Sequence, residues 1–195
     1  MNLSEEKIEL YFPRDVEFRE WLSVNHDRHE KGIYLIFYKL DANIPTMRWE
    51  EAVRVALCYG WIDSTVKNLG GPKRRQHFCP RNPKSPWSRV NKNLIDELSN
   101  KGLIHESGWA SIERAKKDGS WTEMDDVENL IVPNDLQMAF DKKPDAFENY
   151  QGFARGYRKS YLSWLHGAKR EETRLKRISE IIKFCEANIK SRSNW

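Results

Sequence analysis

The sequence WIDSTVKNLGGPKRRQHFCPR, residues 61–81, decides the fold of the first half of the chain. Two arms flank the turn sequence GGP at residues 70–72, and this arrangement is typical of a β-hairpin. Pro80 has no backbone N–H to donate, so we expect it to end the second arm. The sequence therefore predicts an antiparallel hairpin at the centre of a small sheet.

The residues before the hairpin predict a helix, a strand and a second helix. The segment DVEFREWLSVNH (15–26) carries apolar residues at helical spacing and is expected to open a helix at Asp15. GIYLIFYKL (32–40) is β-branched and aromatic throughout, which indicates a strand buried on both faces. MRWEEAVRVALCYG (47–60) carries one apolar helical stripe and stops at Gly60.

The residues after the hairpin predict helices only. Ser88 can cap a helix that runs to Gly102, and a second helix is expected to stop at Gly119. Further helices begin near Asn134 and with Pro144 in a first turn, and two more close the chain. The predicted fold class is α+β, with a small, mostly antiparallel sheet in the N-terminal half and a helix-rich C-terminal half.

Length and composition fit one globular domain. The chain has 195 residues, of which 39% are hydrophobic and 12% aromatic. We expect a single domain over residues 1–195, with an α/β part at about 1–82 and a helical part at about 83–195. No run of 18 apolar residues occurs, and MNLSEEKIELYF lacks the basic start and apolar stretch of a signal peptide. We therefore expect a cytoplasmic protein without a transmembrane segment.

The net charge of +4 is the sum of strongly opposed segments. Residues 64–95 carry eight cations and no carboxylate, whereas residues 96–150 carry six cations and 13 carboxylates. Two interpretations are open: the basic and acidic segments face each other within one fold, or a basic face is exposed for an anionic partner.

The cysteine and histidine residues give the sharpest enzyme hypothesis. His77 and Cys79 are two apart on a predicted strand, so their side chains share a face, and Cys58 and Asp63 lie near the other arm. A thiol nucleophile with a histidine base is conceivable there. Cys58 lies in the apolar stretch ALCYGWI, however, where a cysteine is usually a small core residue. With Cys185 the chain has three cysteines, and we expect all three as free thiols.

Metal and cofactor motifs are weak. Only His77-x-Cys79 approaches a zinc-ligand pair, and His26-x-x-His29 lies in polar surroundings that favour solvated side chains. The sequence contains no Walker loop, no dinucleotide-binding glycine pattern and no His-Glu-x-x-His motif. We therefore expect neither a metal nor a cofactor.

The segment FCPRNPKSPWSRVNK (78–92) suggests an anion site. Arg81 and Lys84 precede the helix that begins near Ser88, and a helix N-terminus presents unpaired N–H groups that favour an anion. Ser85 and the flat indole of Trp87 would complete such a pocket. The alternative is that Ser88 only caps the helix, Trp87 is core and the cations are solvated.

Nucleic acid is a lesser alternative. Cations of residues 67–92 are interleaved with Tyr59, Trp61, Phe78 and Trp87, which could combine phosphate contacts with base stacking. No ribonucleoprotein motif, zinc finger or helix-turn-helix pattern supports this interpretation, and the nearly balanced net charge argues against it.

Several motifs occur in a fixed order along the chain: FREWLSVNH, GIYLIFYK, WEEAVRVALCYGWIDS, FCPRNPKSPWSRVNK and AKREETRLKRI. Together they resemble the family of bacteriocin-protection proteins, also called YdeI/OmpD-associated, from about Leu10 to about Phe184. The resemblance implies a soluble bacterial protein of unassigned biochemical activity. By the family's name alone it also implies resistance to antimicrobial peptides and an association with an envelope protein.

The resemblance also implies which residues occupy motif positions. In the family, the positions of His77 and Cys79 more often carry Arg and Thr or Ser, which disfavours a Cys/His catalytic site. The residues at matching positions are Trp61, Asp63, Phe78, Pro80, Arg81, Ser85, Trp87, Ser88, Asn91, Lys169, Thr173 and Arg174.

These observations predict a protein with a small anionic ligand or a role in stress resistance. Arg81 would pair with an acidic group of the ligand, Trp61 and Trp87 would wall the pocket, and Asp63 would orient Arg81 or accept a hydrogen bond. The alternative is an enzyme that uses Asp63 or His77 as general acid/base in the same pocket. The predicted ligand-binding residues are Trp61, Asp63, Phe78, Arg81, Lys84, Ser85, Trp87, Ser88 and Asn91, and no catalytic residue is assigned.

Overall fold

A computed structural model describes residues 8–191 of the chain. The chain divides into two compact units, of which the first ends at Thr122 and the second begins at Glu123. The first unit contains a four-stranded sheet, and helices dominate the rest, so the predicted α+β class is confirmed. The boundary between the compact units falls between residues 122 and 123. The sequence predicted that an α/β part would give way to a helical part near residue 82. The expectation of one domain stays a prediction.

The sheet contains β1 (Glu9–Tyr11), β2 (Ile33–Tyr38), β3 (Trp61–Asn68) and β4 (Lys73–Pro80), in the order β1-β2-β4-β3. β3 and β4 form the predicted antiparallel hairpin, and Pro80 ends its second arm. β1 pairs in parallel with β2 and was not predicted, because three residues carry no periodic signal. The sheet is therefore mixed, with mostly antiparallel pairing.

Among residues 8–122, the α-helices are α1 (Asp15–Asn25), α2 (Trp49–Cys58), α3 (Arg89–Asn100) and α4 (Glu106–Asp118). The predicted start at Asp15 is confirmed, and so is the cap, since the Ser88 hydroxyl accepts a hydrogen bond from the backbone N–H of Asn91 at 3.2 Å. α4 ends at Gly119, as predicted, because φ of +84° there favours glycine.

The hydrophobic core of this unit lies on one face of the sheet. The β2–β4 register places Ile33 opposite Phe78 and Phe37 opposite Arg74, so these four side chains share that face. Phe18 of α1 joins this core, as does the apolar stripe of α2. Because α2 begins only at Trp49, the same face stays open near the hairpin turn.

The second unit is helical and has its own core. Its helices are α5 (Asp125–Asn129), α6 (Asn134–Asp141), α7 (Pro144–Gly152), α8 (Arg155–His166) and α9 (Glu171–Glu186). The predicted positions of Asn134 and Pro144 are confirmed, whereas the short α5 was not predicted. No helix among residues 8–191 is long and apolar enough to cross a bilayer.

Candidate functional site

Arg81 is buried in the loop that follows the hairpin. Its side chain is only 5% exposed, and its guanidinium carbon lies 3.8 Å from the centre of the Trp87 ring. Nη2 donates to the Pro86 carbonyl at 2.6 Å, and Nε has no hydrogen-bond partner in the described part of the chain. Burial lowers the pKa of Arg81 to about 10, against the opposite effect of the Asp63 charge. The guanidinium therefore stabilises the loop through Pro86 and Trp87 and is shielded from solvent.

The space beside Arg81 is small. A cavity of about 10 Å³ is lined by Arg81, Lys84, Ser85 and Trp87, four of the predicted residues, and this volume holds about one water molecule. Asp118 also lines it, and hydrogen bonds from Ser120 lower the pKa of that carboxyl, which keeps it negatively charged. A phosphate or dicarboxylate would need both more room and less negative charge. Ligand binding by these four residues stays a prediction.

Trp61 was predicted to wall the pocket beside Arg81 and Phe78 to bind its ligand, but neither residue lines the cavity described above. Trp61 is 1% exposed and its Nε1 donates to the His26 carbonyl at 3.0 Å. Phe78 is 0% exposed and packs edge-on against Phe18. Both residues are hydrophobic core because their strand face lies beneath the helices.

The aromatic residues expected to stack on nucleic-acid bases are likewise buried. Tyr59, Trp61, Phe78 and Trp87 are each at most 7% exposed. A base needs an open ring face for stacking, so these side chains offer no platform. Ser88 and Asn91 contact each other through the helix cap described above.

Asp63 lies on the core face of the sheet, where it is half-buried. Its Oδ2 accepts hydrogen bonds from Nε1 of Trp49 at 3.0 Å and from Nε2 of Gln76 at 2.5 Å. The hydrogen bond to Asp63 fixes the indole of Trp49 in position. Asp63 therefore orients Trp49, whereas the sequence suggested that it orients Arg81.

His77 lies on the other sheet face. Its Nε2 is 2.9 Å from the Lys31 carbonyl and its Nδ1 is 2.8 Å from the Ser64 hydroxyl. A carbonyl only accepts, so Nε2 carries a proton and donates to Lys31. Asp63 pairs with Phe78, the neighbour of His77, so the Asp63 and His77 side chains leave opposite faces. They do not share a site, which corrects the single pocket expected for them.

The thiols do not form a reactive group either. Cys58 is fully buried, its Sγ lies 3.3 Å from the Arg54 carbonyl, and burial raises its pKa. None of the three cysteines, all of which lie within residues 8–191, forms a disulfide, as expected. Among residues 8–191, no group of three His, Cys, Asp or Glu side chains could hold a metal ion.

A larger site lies at the open end of the core face. We call it the hairpin groove; it has a volume of about 610 Å³. It lies between the end of β2, the segment that leads into α2 and the turn end of the hairpin. Its lining residues are Phe37, Tyr38, Lys39, Leu40, Thr46, Met47, Arg48, Trp49, Glu50, Val66, Asn68, Pro72, Lys73 and Arg74.

Backbone contacts fix the walls of the groove. The N–H of Lys39 donates to the Pro72 carbonyl at 2.9 Å, which joins the end of β2 to the hairpin turn. The N–H of Tyr38 donates to the Thr46 hydroxyl at 3.2 Å, which folds the following segment back. Asn43, at φ of +54°, makes the reversal between them, because asparagine tolerates this left-handed conformation.

The walls of the groove are basic. Four cations, Lys39, Arg48, Lys73 and Arg74, line it together with one carboxylate, Glu50. None of these cations forms an ion pair within residues 8–191, where the bridges involve other lysines and arginines. Their positive charge is therefore available to a ligand.

The floor of the groove is apolar. Phe37 and Met47 are buried, and the Arg74 guanidinium lies 5.2 Å over the Phe37 ring. Val66 is 57% exposed and Trp49 is 37% exposed, so both present apolar surface to the open space. A ligand in the groove would contact apolar atoms below and cations at its edges.

The first unit is thus an α+β domain with a basic groove of ligand size. Comparison with known families shows that residues 10–111, just over half of the chain, match a domain of unknown function (DUF8412), and the chain belongs to that family. Residues 129–188 match the family described as bacteriocin-protection, YdeI or OmpD-associated, which confirms the resemblance over that range. Four of the five motifs quoted for that resemblance lie before residue 111, within the other match. No curated protein and no solved structure matches the chain.

The family motif of the second unit contains a structural ion pair. Arg174 of α9 donates from Nη2 to Oδ1 of Asp135 in α6 at 2.9 Å and from Nε to Oδ2. Lys169 lies 3.8 Å from Glu123. At least Arg174 thus holds two helices together.

Proposed function

We propose that this protein binds a small anionic ligand in the hairpin groove. The observation that carries the proposal is a set of four cations that form no ion pair within residues 8–191 and that surround an apolar floor. The volume of about 610 Å³ falls in the range of small-molecule sites. The ligand class, a small anion, is the one that the sequence predicted. The proposed site is the hairpin groove, whereas the sequence placed the ligand beside Arg81.

The lining residues suggest how such a ligand would be held. Arg48 and Arg74 can each present two parallel N–H donors to a carboxylate or phosphate. Lys39 and Lys73 add point charges, and the Trp49 indole offers a flat surface whose orientation is fixed by Asp63. An anion with a planar or aliphatic body would contact all of these groups.

The contacts of Asp63 favour binding over catalysis. A general base needs an oxygen that faces the substrate. Oδ2 of Asp63 already accepts two hydrogen bonds, and the indole of Trp49 is one of the donors. An enzyme and a stress-resistance protein stay alternatives, and the cytoplasm stays the predicted compartment.

Thermal unfolding tests the proposal. Phosphate and citrate should raise the melting temperature more than chloride at matched ionic strength, because a ligand at 100 times its Kd stabilises the fold by about 2.7 kcal/mol. Arg48→Gln and Arg74→Gln should abolish this response. Arg28→Gln, a change of the same charge at an exposed residue outside the groove, should keep it.

Multivalent anions also stabilise proteins by exclusion from the surface, and that effect survives in every variant. The comparison between variants therefore decides. An identical response of the wild type, Arg48→Gln and Arg74→Gln to both anions would contradict the proposal.

A further inference from the structure

The rim of the hairpin groove exposes an unusual number of aliphatic side chains. Leu40 is 66% exposed, Val66 57%, Ile44 39% and Leu69 37%. Leu40 and Ile44 lie in the segment 39–45, Leu69 lies in the hairpin turn, and Val66 lies near the turn end of β3. The hydrogen bond from Lys39 to Pro72 joins the first segment to the turn. Single exposed aliphatic residues are ordinary, whereas a cluster at two loop tips indicates a binding surface.

Cations flank these aliphatic tips. Lys39 precedes Leu40, and Lys67 and Lys73 stand on either side of the hairpin turn. Lys39 and Lys73 are two of the four cations that line the groove, and Lys67 adds a further positive charge beside the turn. Two carboxylates are close by, Glu50 in the groove lining and Asp41 next to Leu40 in the sequence. The surface as a whole is positive.

Exposed aliphatic side chains flanked by lysines suit the chemistry of the membrane interface, where lipid headgroups give way to acyl chains. Apolar side chains enter the upper acyl region there, while lysine and arginine stay at the level of the phosphates. Anionic lipids add an attraction for each nearby cation. A nucleic acid would supply phosphates but would gain nothing from Leu40, Ile44 or Leu69, since base stacking needs aromatic rings.

We infer that this rim docks onto the surface of a membrane that contains anionic lipids. Leu40, Ile44 and Leu69 enter the headgroup boundary, and a lipid phosphate occupies the hairpin groove between Arg48 and Arg74. The inference rests on the proposed function, because the headgroup is then the small anion that the groove binds. The protein lies on the membrane by this surface and does not span it.

Vesicle co-sedimentation of the full chain tests the inference. The wild type should bind vesicles of equal parts phosphatidylcholine and phosphatidylglycerol, and not vesicles of phosphatidylcholine alone. The double variant Leu40→Ser/Leu69→Ser should bind at least ten-fold more weakly. Lys73→Gln should weaken binding about five-fold, the effect of one cation near an anionic surface. Val24→Ser, at an exposed aliphatic residue of α1, should bind like the wild type.

Three results would overturn the inference. If phosphate and citrate stabilise the protein through Arg48 while mixed vesicles are not bound, the proposed function stands and the membrane surface does not exist. If Leu40→Ser/Leu69→Ser binds vesicles like the wild type, charge alone is responsible. If Arg48→Gln/Arg74→Gln retains full vesicle binding, the headgroup does not enter the groove.

Discussion

Replacing Arg81 by methionine tests whether this buried cation is structural. The lowering of the Arg81 pKa to about 10, well below the ordinary range of an arginine, corresponds to about 3 kcal/mol of net unfavourable free energy for the charged form in the folded protein. Arg81→Met removes this penalty and still packs on the Trp87 indole. It loses a desolvated cation–π contact of about 2 kcal/mol. It also leaves the Pro86 carbonyl without its donor, which costs about 1–3 kcal/mol.

These opposing contributions nearly cancel. We expect Arg81→Met to lie within about 2 kcal/mol of the wild type in urea unfolding at pH 7. Arg81→Ala should be about 2–4 kcal/mol less stable than Arg81→Met, because it leaves a cavity. A decrease of more than about 4 kcal/mol in the free energy of unfolding of Arg81→Met would refute the reasoning. The guanidinium would then be stabilised by more than its contacts with Trp87 and Pro86 and the charge of Asp63.

The burial of Arg81 also has a pH signature. Its pKa is lower in the folded chain, so the unfolded chain binds more protons at this residue once the pH rises through about 10, and the contribution of Arg81 to stability rises with pH there. Relative to Arg81→Met, the wild type should gain on the order of 1 kcal/mol between pH 8 and pH 10.5. Lysines and tyrosines titrate in both proteins and drop out of the difference. A difference that does not change with pH would contradict this account.

Cys58 should resist alkylation in the folded protein, and Cys58→Ala should lower the free energy of unfolding by about 1–2 kcal/mol; rapid labelling would revive the nucleophile hypothesis. Gly32→Ala should destabilise far more than Gly71→Ala in urea, because an added Cβ would lie 2.2 Å from a carbonyl oxygen at Gly32 and in open space at Gly71. Both have positive φ, so equal losses would be inconsistent with the clash. The hydrogen bond from Arg174 lowers the pKa of Asp135, so the stability from this pair is complete above pH 3.8 and is lost as pH falls through the lower folded value. If the free energies of unfolding of the wild type and Arg174→Gln fall by the same amount as the pH is lowered, this assignment is contradicted.

Local sequence signals predicted most of the elements of the first unit. The hairpin has its turn in GGP and its end in Pro80, and α3 and α4 have a serine cap and a glycine stop, so each signal lies within the element itself. β1 was not predicted because three residues are too few to show a hydrophobic periodicity. Its parallel pairing with β2 depends on residues more than 20 positions away in the sequence. The boundary at Thr122 has no run of proline, glycine or serine that would indicate a linker.

The candidate site was harder to predict because it depends on long-range pairing. Lys73 and Arg74 lie in residues 64–95, the segment without carboxylates. One of the two interpretations of that segment was a basic face exposed for an anionic partner. Lys39 and Arg48 join them only because β2 pairs with β4 and the following segment folds back over the end of the sheet. Arg81 was predicted to face a ligand because it precedes the N-terminus of the helix that begins near Ser88. Arginines are seldom buried, and no local pattern signals the stacking of Arg81 on Trp87.

The indole N–H of Trp49 gives the most direct test of the hairpin groove as an anion site. Trp49 lines the groove, and its Nε1 donates to Asp63, whereas Trp61 and Trp87 lie in the core. In a titration of ¹⁵N-labelled protein with citrate, assigned with Trp49→Phe, the Trp49 indole resonance should shift saturably while those of Trp61 and Trp87 stay in place. A saturable shift at Trp87 with none at Trp49 would place the anion beside Arg81 and contradict the account.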